Sequence, residues 1–241
     1  MKKWVVKKPD KQISKKLEAE CSVTPLCADV LAARGISSPA EAAEQFNADS
    51  LSDPFLLKDM REAAQLINTA VENFTCICVF GDYDCDGIAS TAMLFSYLEC
   101  MGANVFYMIP ERNDGYGLNE SAVRKMHEQG AELIITVDNG ISAHNEAELI
   151  HELGMKLIIT DHHQPGETLP KAEAIVNPHR KDCASPFKYL CGAGVVLKLI
   201  AAAEGGGYDT ALNEYGELAA LATIADVAVS YTHLRAHETR G

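Results

Sequence analysis

At 241 residues the chain is long enough for one large domain, or for one domain with an N-terminal extension. Its 47% hydrophobic and 23% charged residues are ordinary for a globular protein with a sizeable core, and no apolar run is long enough to span a bilayer. The formal net charge of −13 opposes non-specific attraction to nucleic acid or an anionic membrane, so a polyanionic substrate has to be held by bound metal or by a local basic patch.

The first residues, Met1-Lys2-Lys3-Trp4-Val5-Val6-Lys7-Lys8, are basic but lead into no apolar stretch, so they are not read as a secretion signal. Residues 1–60 read as a mainly helical lead-in. Residues 15–20 and 39–46 have helical patterns, and Ser37-Ser38-Pro39 resembles a cap followed by a first-turn proline. Residues 53–57 read as a turn into a docking segment, and residues 60–71 as a helix with apolar positions at helical spacing. This lead-in offers packing scaffold and no chemistry.

From residue 75 onward short apolar strands alternate with helices. Strands are expected at 76–80, 104–109, 133–138, 156–161 and 174–177, and helices at 88–101, 120–129, 143–153, 194–203 and 212–227. Such alternation implies an α/β fold, a parallel sheet with helices on both faces, over residues 61–228. Residues 229–241 abandon the apolar pattern and resemble in-frame read-through of a sequencing adapter, so they are expected to be a non-native tail. On that reading His233 and His237 are rejected as ligands.

The eight cysteines form no CxxC pair, and Cys76 and Cys78 lie in a core-like strand. Free thiols in a reducing cytoplasm fit better than a zinc ribbon or a disulfide scaffold.

The first strand runs into Phe80-Gly81-Asp82-Tyr83-Asp84-Cys85-Asp86-Gly87, where three carboxylates alternate. Like charges so close repel unless a cation is present or the side chains fan into water, so a solvated acidic turn is the competing reading. The arrangement occurs twice more. Leu133-Ile134-Ile135-Thr136-Val137 ends in Asp138-Asn139-Gly140, and Leu157-Ile158-Ile159-Thr160 ends in Asp161-His162-His163. Three strand ends bringing acids and imidazoles to one sheet edge point to a divalent-metal site, because open α/β sheets bind ligands at that edge. Carboxylates with a minority of imidazole suit Mn²⁺ or Mg²⁺, and so many acids suggest two ions sharing a bridging carboxylate. Asp226, inside an apolar helix, is either a fourth contributor or a salt-bridged acid.

Asp84-Cys85-Asp86-Gly87, Asp138-Asn139-Gly140, Asp161-His162-His163 and Asp226 resemble, in order, the four motifs of the DHH phosphoesterase superfamily. The flanking Arg112-Asn113-Asp114-Gly115-Tyr116-Gly117-Leu118 and Leu190-Cys191-Gly192-Ala193-Gly194-Val195 narrow the resemblance to RecJ-type single-strand-specific exonucleases, over roughly residues 50–228. The resemblance implies two Mn²⁺ or Mg²⁺ ions and hydrolysis of single-stranded DNA from its 5′ end to mononucleotides, in DNA repair and recombination. Asp84, Asp86, Asp138, His162 and Asp226 match metal ligands, with Asp138 the bridge, and Asp82 is either a ligand or a support for one. His163 matches the residue facing the scissile phosphate, and Asp161 orients its neighbours. Arg112 either grips a phosphate or forms a surface ion pair. Gly192 and Gly194 either let a phosphate approach a helix start or permit tight helix packing.

Full-length members of that family carry a second, DHHA1-type domain, which the sequence here does not include, and their expected partners are single-stranded DNA, a single-strand-binding protein and a helicase. Two other functions fit the same motifs. One is a DHH phosphoesterase acting on short oligonucleotides, cyclic dinucleotides or pyrophosphate. The other is a non-catalytic scaffold, which the filled ligand positions disfavour.

Overall fold

A computed structural model describes residues 8–46, 51–110 and 117–227. The chain divides into two compact units, Met1–Leu51 and Ser52–Gly241. The break therefore falls at 51/52 rather than at residue 60, because the segment around Leu57 and Met60 is buried in the core of the second unit. The expected tail at 229–241 and Arg112 lie outside the described residues.

In the first unit three short helices are each started by a side-chain cap. Asp10 Oδ1 accepts from the Gln12 and Ile13 amides ahead of α1 (Lys11–Cys21). Thr24 Oγ1 accepts from Cys27 N ahead of α2 (Pro25–Ala33). Before α3 (Pro39–Phe46), Ser38 Oγ accepts from Glu41 N while Glu41 reaches back to Ser37 N. These contacts satisfy amides that have no partner within the helix. Helix α2 is absent from the pattern reading, although Thr24-Pro25 is a cap followed by a first-turn proline. Leu17, Ala28, Leu31, Ala32 and Ala42 close a small core of their own.

The second unit opens with a 3₁₀ turn at Pro54–Leu56 and α4 (Met60–Glu72). Then follow β1 (Ile77–Phe80), α5 (Cys85–Cys100), β2 (Val105–Met108), α6 (Glu120–Glu128), β3 (Leu133–Val137), α7 (His144–Glu152), β4 (Lys156–Thr160), β5 (Ala174–Val176), α8 (Gly192–Ala203) and α9 (Asp209–Ala225). The five strands are parallel throughout, in the order β2-β1-β3-β4-β5. All five lie within the stretches expected from sequence, each trimmed at its ends.

The strand side chains alternate between two cores. Ile77, Val79, Leu133, Ile135 and Val137 face α4, α5, α8 and α9, whereas Cys78, Phe80, Ile134, Leu157 and Ile159 face α6 and α7. Burial on both faces explains why β1 reads as an unbroken apolar run and β3 as one interrupted only by Thr136. Helix α8 is buried over most of its length and includes Lys198, whose Nζ donates to Ser52 O (2.6 Å) and Tyr208 Oη (2.8 Å). Burial pushes that ammonium down to about 8, and its hydrogen bonds fasten the start of the unit to α8.

Strand order sets where a site can form. Chain direction across the sheet reverses between β1 and β3, so the loops leaving their carboxyl ends diverge and leave a crevice. Among the described residues no helix is long and apolar enough to cross a membrane.

Candidate metal centre

The loop after β1 turns straight into α5, three residues earlier than the pattern suggests, because Asp84 is its cap: Oδ1 accepts from Gly87 N at 2.8 Å. That places Asp86 in the first turn, 2% exposed. Its two oxygens accept from Gly192 N (2.6 Å) and Ala193 N (2.8 Å), the first amides of α8. A carboxylate at a helix N-terminus is stabilised by unsatisfied N–H groups and by the helix dipole. These amides are therefore engaged by the protein's own anion. The expectation of a phosphate at Gly192 is revised accordingly, and Gly194 N donates to Cys191 Sγ.

Gly192 has a different reason to be glycine. A Cβ there would lie 2.6 Å from Asp138 Cβ and 2.8 Å from Asp138 Oδ1, so only hydrogen fits. Asp138 itself follows β3 with φ of 61°, a left-handed conformation that costs a non-glycine residue roughly 1–2 kcal/mol. Its turn is held by Thr136 Oγ1 donating to Asn139 O (2.8 Å) and Asn139 Nδ2 donating to Val137 O (2.9 Å).

His162, after β4, brings the group together. Its Nε2 lies 3.0 Å from Asp138 Oδ1 and 3.6 Å from Asp86 Oδ2, and its Nδ1 lies 3.9 Å from Asp226 Oδ2, at the end of α9. Two overlapping triads result, Asp138–His162–His163 and Asp86–His162–Asp226, with ligand atoms within 4.8 Å of one another in each. Asp82 and Asp84 are not brought into either triad. Asp84 is exposed and caps α5, and Asp82 is fully buried with Oδ1 accepting from Tyr83 N. The charge of Asp84 still acts on Asp138 and Asp226.

Electrostatics separate the aspartates. Burial, followed by the charges of Asp86, Asp84 and Asp161, pushes Asp138 up to about 10. Its Oδ1 is buried and accepts no hydrogen bond of good geometry. Burial also raises Asp226, against the opposing pull of His162. Asp161 behaves in the opposite way. Burial alone would push it up, yet hydrogen bonds and charge from His163, with the Ile141 amide, hold it below the usual range. Its Oδ1 accepts from the amides of His162 (2.7 Å) and His163 (3.0 Å) and from His163 Nδ1 (2.7 Å), and its Oδ2 from Ile141 N (2.9 Å). The same hydrogen bond raises His163 toward its cationic form, despite burial.

Three carboxylates converging around one imidazole repel one another unless a cation neutralises them. A donor set of three carboxylates with His162, flanked by His163, fits a hard divalent cation. Two polar residues of this edge escaped the sequence reading. Thr136 and Asn177, both fully buried, sit within or just beyond apolar strands, where neither residue type signals a site.

The family described as "DHH family, N-terminal domain" matches residues 76–223. The single-stranded-DNA-specific exonuclease RecJ of Bacillus subtilis (strain 168) is 43% identical over 244 residues, covering 99% of this chain and 30% of that protein. A crystal structure of exonuclease RecJ bound to manganese is 40% identical with a TM-score of 0.65, covering 73% of this chain and 45% of that one. RecJ from Thermus thermophilus in complex with Mn²⁺ is 33% identical with a TM-score of 0.72, covering 91% of this chain and 31% of that one. The chain thus spans between about a third and a half of the length of these proteins.

Proposed function

The chain belongs to the DHH family, and from that premise we propose that it carries the catalytic domain of a metal-dependent phosphodiesterase that removes mononucleotides from the 5′ end of single-stranded DNA. The observation that carries this reading is the convergence of Asp86, Asp138, His162 and Asp226 at the crevice beside β1 and β3. Its similarity to RecJ exonucleases of known manganese-bound structure supports both the substrate and the ion.

Asp84, Asp86, Asp138, His162 and Asp226 would hold Mn²⁺ or Mg²⁺, and Asp138 is the carboxylate we assign as shared. When bound, such ions supply a hydroxide-like nucleophile and stabilise charge on the leaving oxygen. The remaining work belongs to the chain. The α8 amides fix the carboxylate plane of Asp86. Asp161 orients the DHH turn and, by accepting from His163 Nδ1, favours the doubly protonated ring, whose Nε2–H can be presented to a phosphate oxygen of the strand as charge develops. Asp82 is assigned a supporting role rather than that of a ligand, and Asp84, whose Oδ1 serves the cap of α5, stays assigned to the ions through its other oxygen. Arg112 remains assigned to a substrate phosphate. The eight free thiols suit a reducing compartment, and the cytoplasm is the proposed location. A helicase and a single-strand-binding protein are the partners that would supply and hold such strands. Residues 229–241 keep their assignment as a foreign tail.

Calorimetric titration with Mn²⁺, followed by digestion of a 5′-labelled single strand, its duplex and a cyclic dinucleotide, tests the reading. Tight Mn²⁺ binding with mononucleotide release from the single strand alone is the expected result. Absence of a divalent site would instead make the domain a scaffold, and preference for the cyclic dinucleotide would move it to the small-substrate phosphoesterases. Because the relatives are longer, the same assay on a chain extended through a complete second domain separates metal binding from strand binding.

A further inference from the structure

Asn177 follows β5 directly, at the same sheet edge as the metal centre, and it is fully buried. Its Nδ2 donates to the carbonyl of His163 at 2.9 Å, and its Oδ1 accepts from His179 N at 2.8 Å. One planar amide thus joins two turns, the Asp161-His162-His163 turn after β4 and the Asn177-Pro178-His179 turn after β5. Reversing the amide would set oxygen against carbonyl and N–H against N–H, so its partners dictate its orientation.

We propose that Asn177 is a positioning residue for the hydrolysis, acting through His163; the inference rests on the function proposed above. The His163 ring is 44% exposed and stands at the rim of the site, so nothing in its burial alone fixes its direction. Asp161 holds Nδ1, and Asn177 holds the backbone carbonyl of the same residue. With one end of the side chain and its backbone both restrained, the ring keeps one orientation toward the ions. Errors of about 1 Å in such placement cost up to roughly a hundredfold in rate. The second half of the amide seats His179, which is half-buried within range of the His162, Lys188 and His163 charges, so a third imidazole shares this edge.

The competing explanation is that Asn177 merely satisfies two buried backbone groups. Comparing Asn177→Ala and Asn177→Asp, each in the natural chain and in His163→Ala, separates the two. Asn177→Ala is expected to lower kcat about tenfold while KM and Mn²⁺ affinity stay within about twofold, and to cost nothing further once His163 is gone. An equal loss in both backgrounds, or a loss that tracks Mn²⁺ affinity, overturns the proposal. Asn177→Asp keeps the acceptor for His179 N and loses the donor to His163, so it should be slowed like the alanine variant while the His179 amide stays protected from exchange. Natural kcat in that variant overturns the proposal, and its near-identical shape keeps the test available if the alanine variant fails to fold. Should the natural chain not degrade single strands, the functional reading fails separately. Asn177 is then judged by NMR, where the His163 ring signal should shift or broaden in Asn177→Asp while that of His127, on α6, does not; an unmoved His163 signal overturns the proposal.

Discussion

Asp138 and Asp161 end adjacent strands of nearly the same composition, and each is 1% exposed, yet the structure gives them opposite electrostatic characters. Asp161 is surrounded by donors: three backbone amides and the His163 ring. Asp138 faces the charges of Asp86, Asp84 and Asp161, and its Oδ1 has the His162 ring 3.0 Å away but no hydrogen bond of good geometry. Burial is common to both, so burial does not decide the role of a buried acid. What separates them is whether the fold surrounds the acid with donors, as it does Asp161, or with like charge, as it does Asp138.

The largest expected effect comes from removing Asp138, the acid that faces like charge. Asp138→Ala should reduce hydrolysis to background and abolish tight Mn²⁺ binding in calorimetry, with the circular-dichroism spectrum unchanged. Turnover near that of the natural chain would remove Asp138 from the centre and the two-ion assignment with it.

Next in size is a contrast in stability of the metal-free chain. Asp161→Asn strips a buried, fully bonded carboxylate and should cost about 3–5 kcal/mol, as breaking buried charge pairs does. Asp138→Asn removes a carboxyl whose charged form the fold already disfavours, and should be neutral or mildly stabilising. Urea denaturation in the presence of a chelator measures both, and the same sign for the two would erase the distinction.

His163→Ala should lower turnover by roughly 10²–10³-fold, the range for losing a donor to developing charge. Mn²⁺ affinity should hold within about twofold. An equal loss of affinity would make His163 a ligand, as its place beside Asp138 and His162 permits.

A further contrast lies in pH dependence, whose sign differs between the two acids. The folded state raises Asp138 from 3.8 to about 10, so its contribution favours folding at low pH and is lost as pH rises across that window. The folded state lowers Asp161 below 3.8, so its contribution is present above that value and is lost as pH falls through the lower one. Mn²⁺ binding at pH 7 should therefore expel about one proton from Asp138, seen as a dependence of the binding heat on buffer ionisation enthalpy. A heat that is the same in all buffers would mean the carboxyl is already ionised.

Much of this centre was legible in one dimension. Mainly apolar runs of four or five residues, three of them leading into an acid, give both the parallel sheet and the edge where its polar groups gather, because burial on two faces leaves such strands few polar positions until they end. The histidine pair and Asp226 were readable for the same reason, being polar where the pattern demands otherwise. The start of α5 was less so. Its first turn is composed of the acids themselves, and the cap by Asp84 that draws Asp86 inward shows only once the helix exists. Helix α2 escaped because nine residues rich in alanine carry little periodic signal.

What the tertiary structure alone decided is which polar group meets which. Nothing near Asp86 in sequence says that its oxygens will meet the amides of Gly192 and Ala193, more than a hundred residues later. The same holds for the meeting of Gly192 with Asp138, and for the amide of Asn177 lying between His163 and His179. Hydrophobic pattern is a property of neighbours along the chain and survives in the sequence. Hydrogen-bond partnership depends on distances of a few ångströms between segments far apart in it, and those distances exist only after the strands have taken their order.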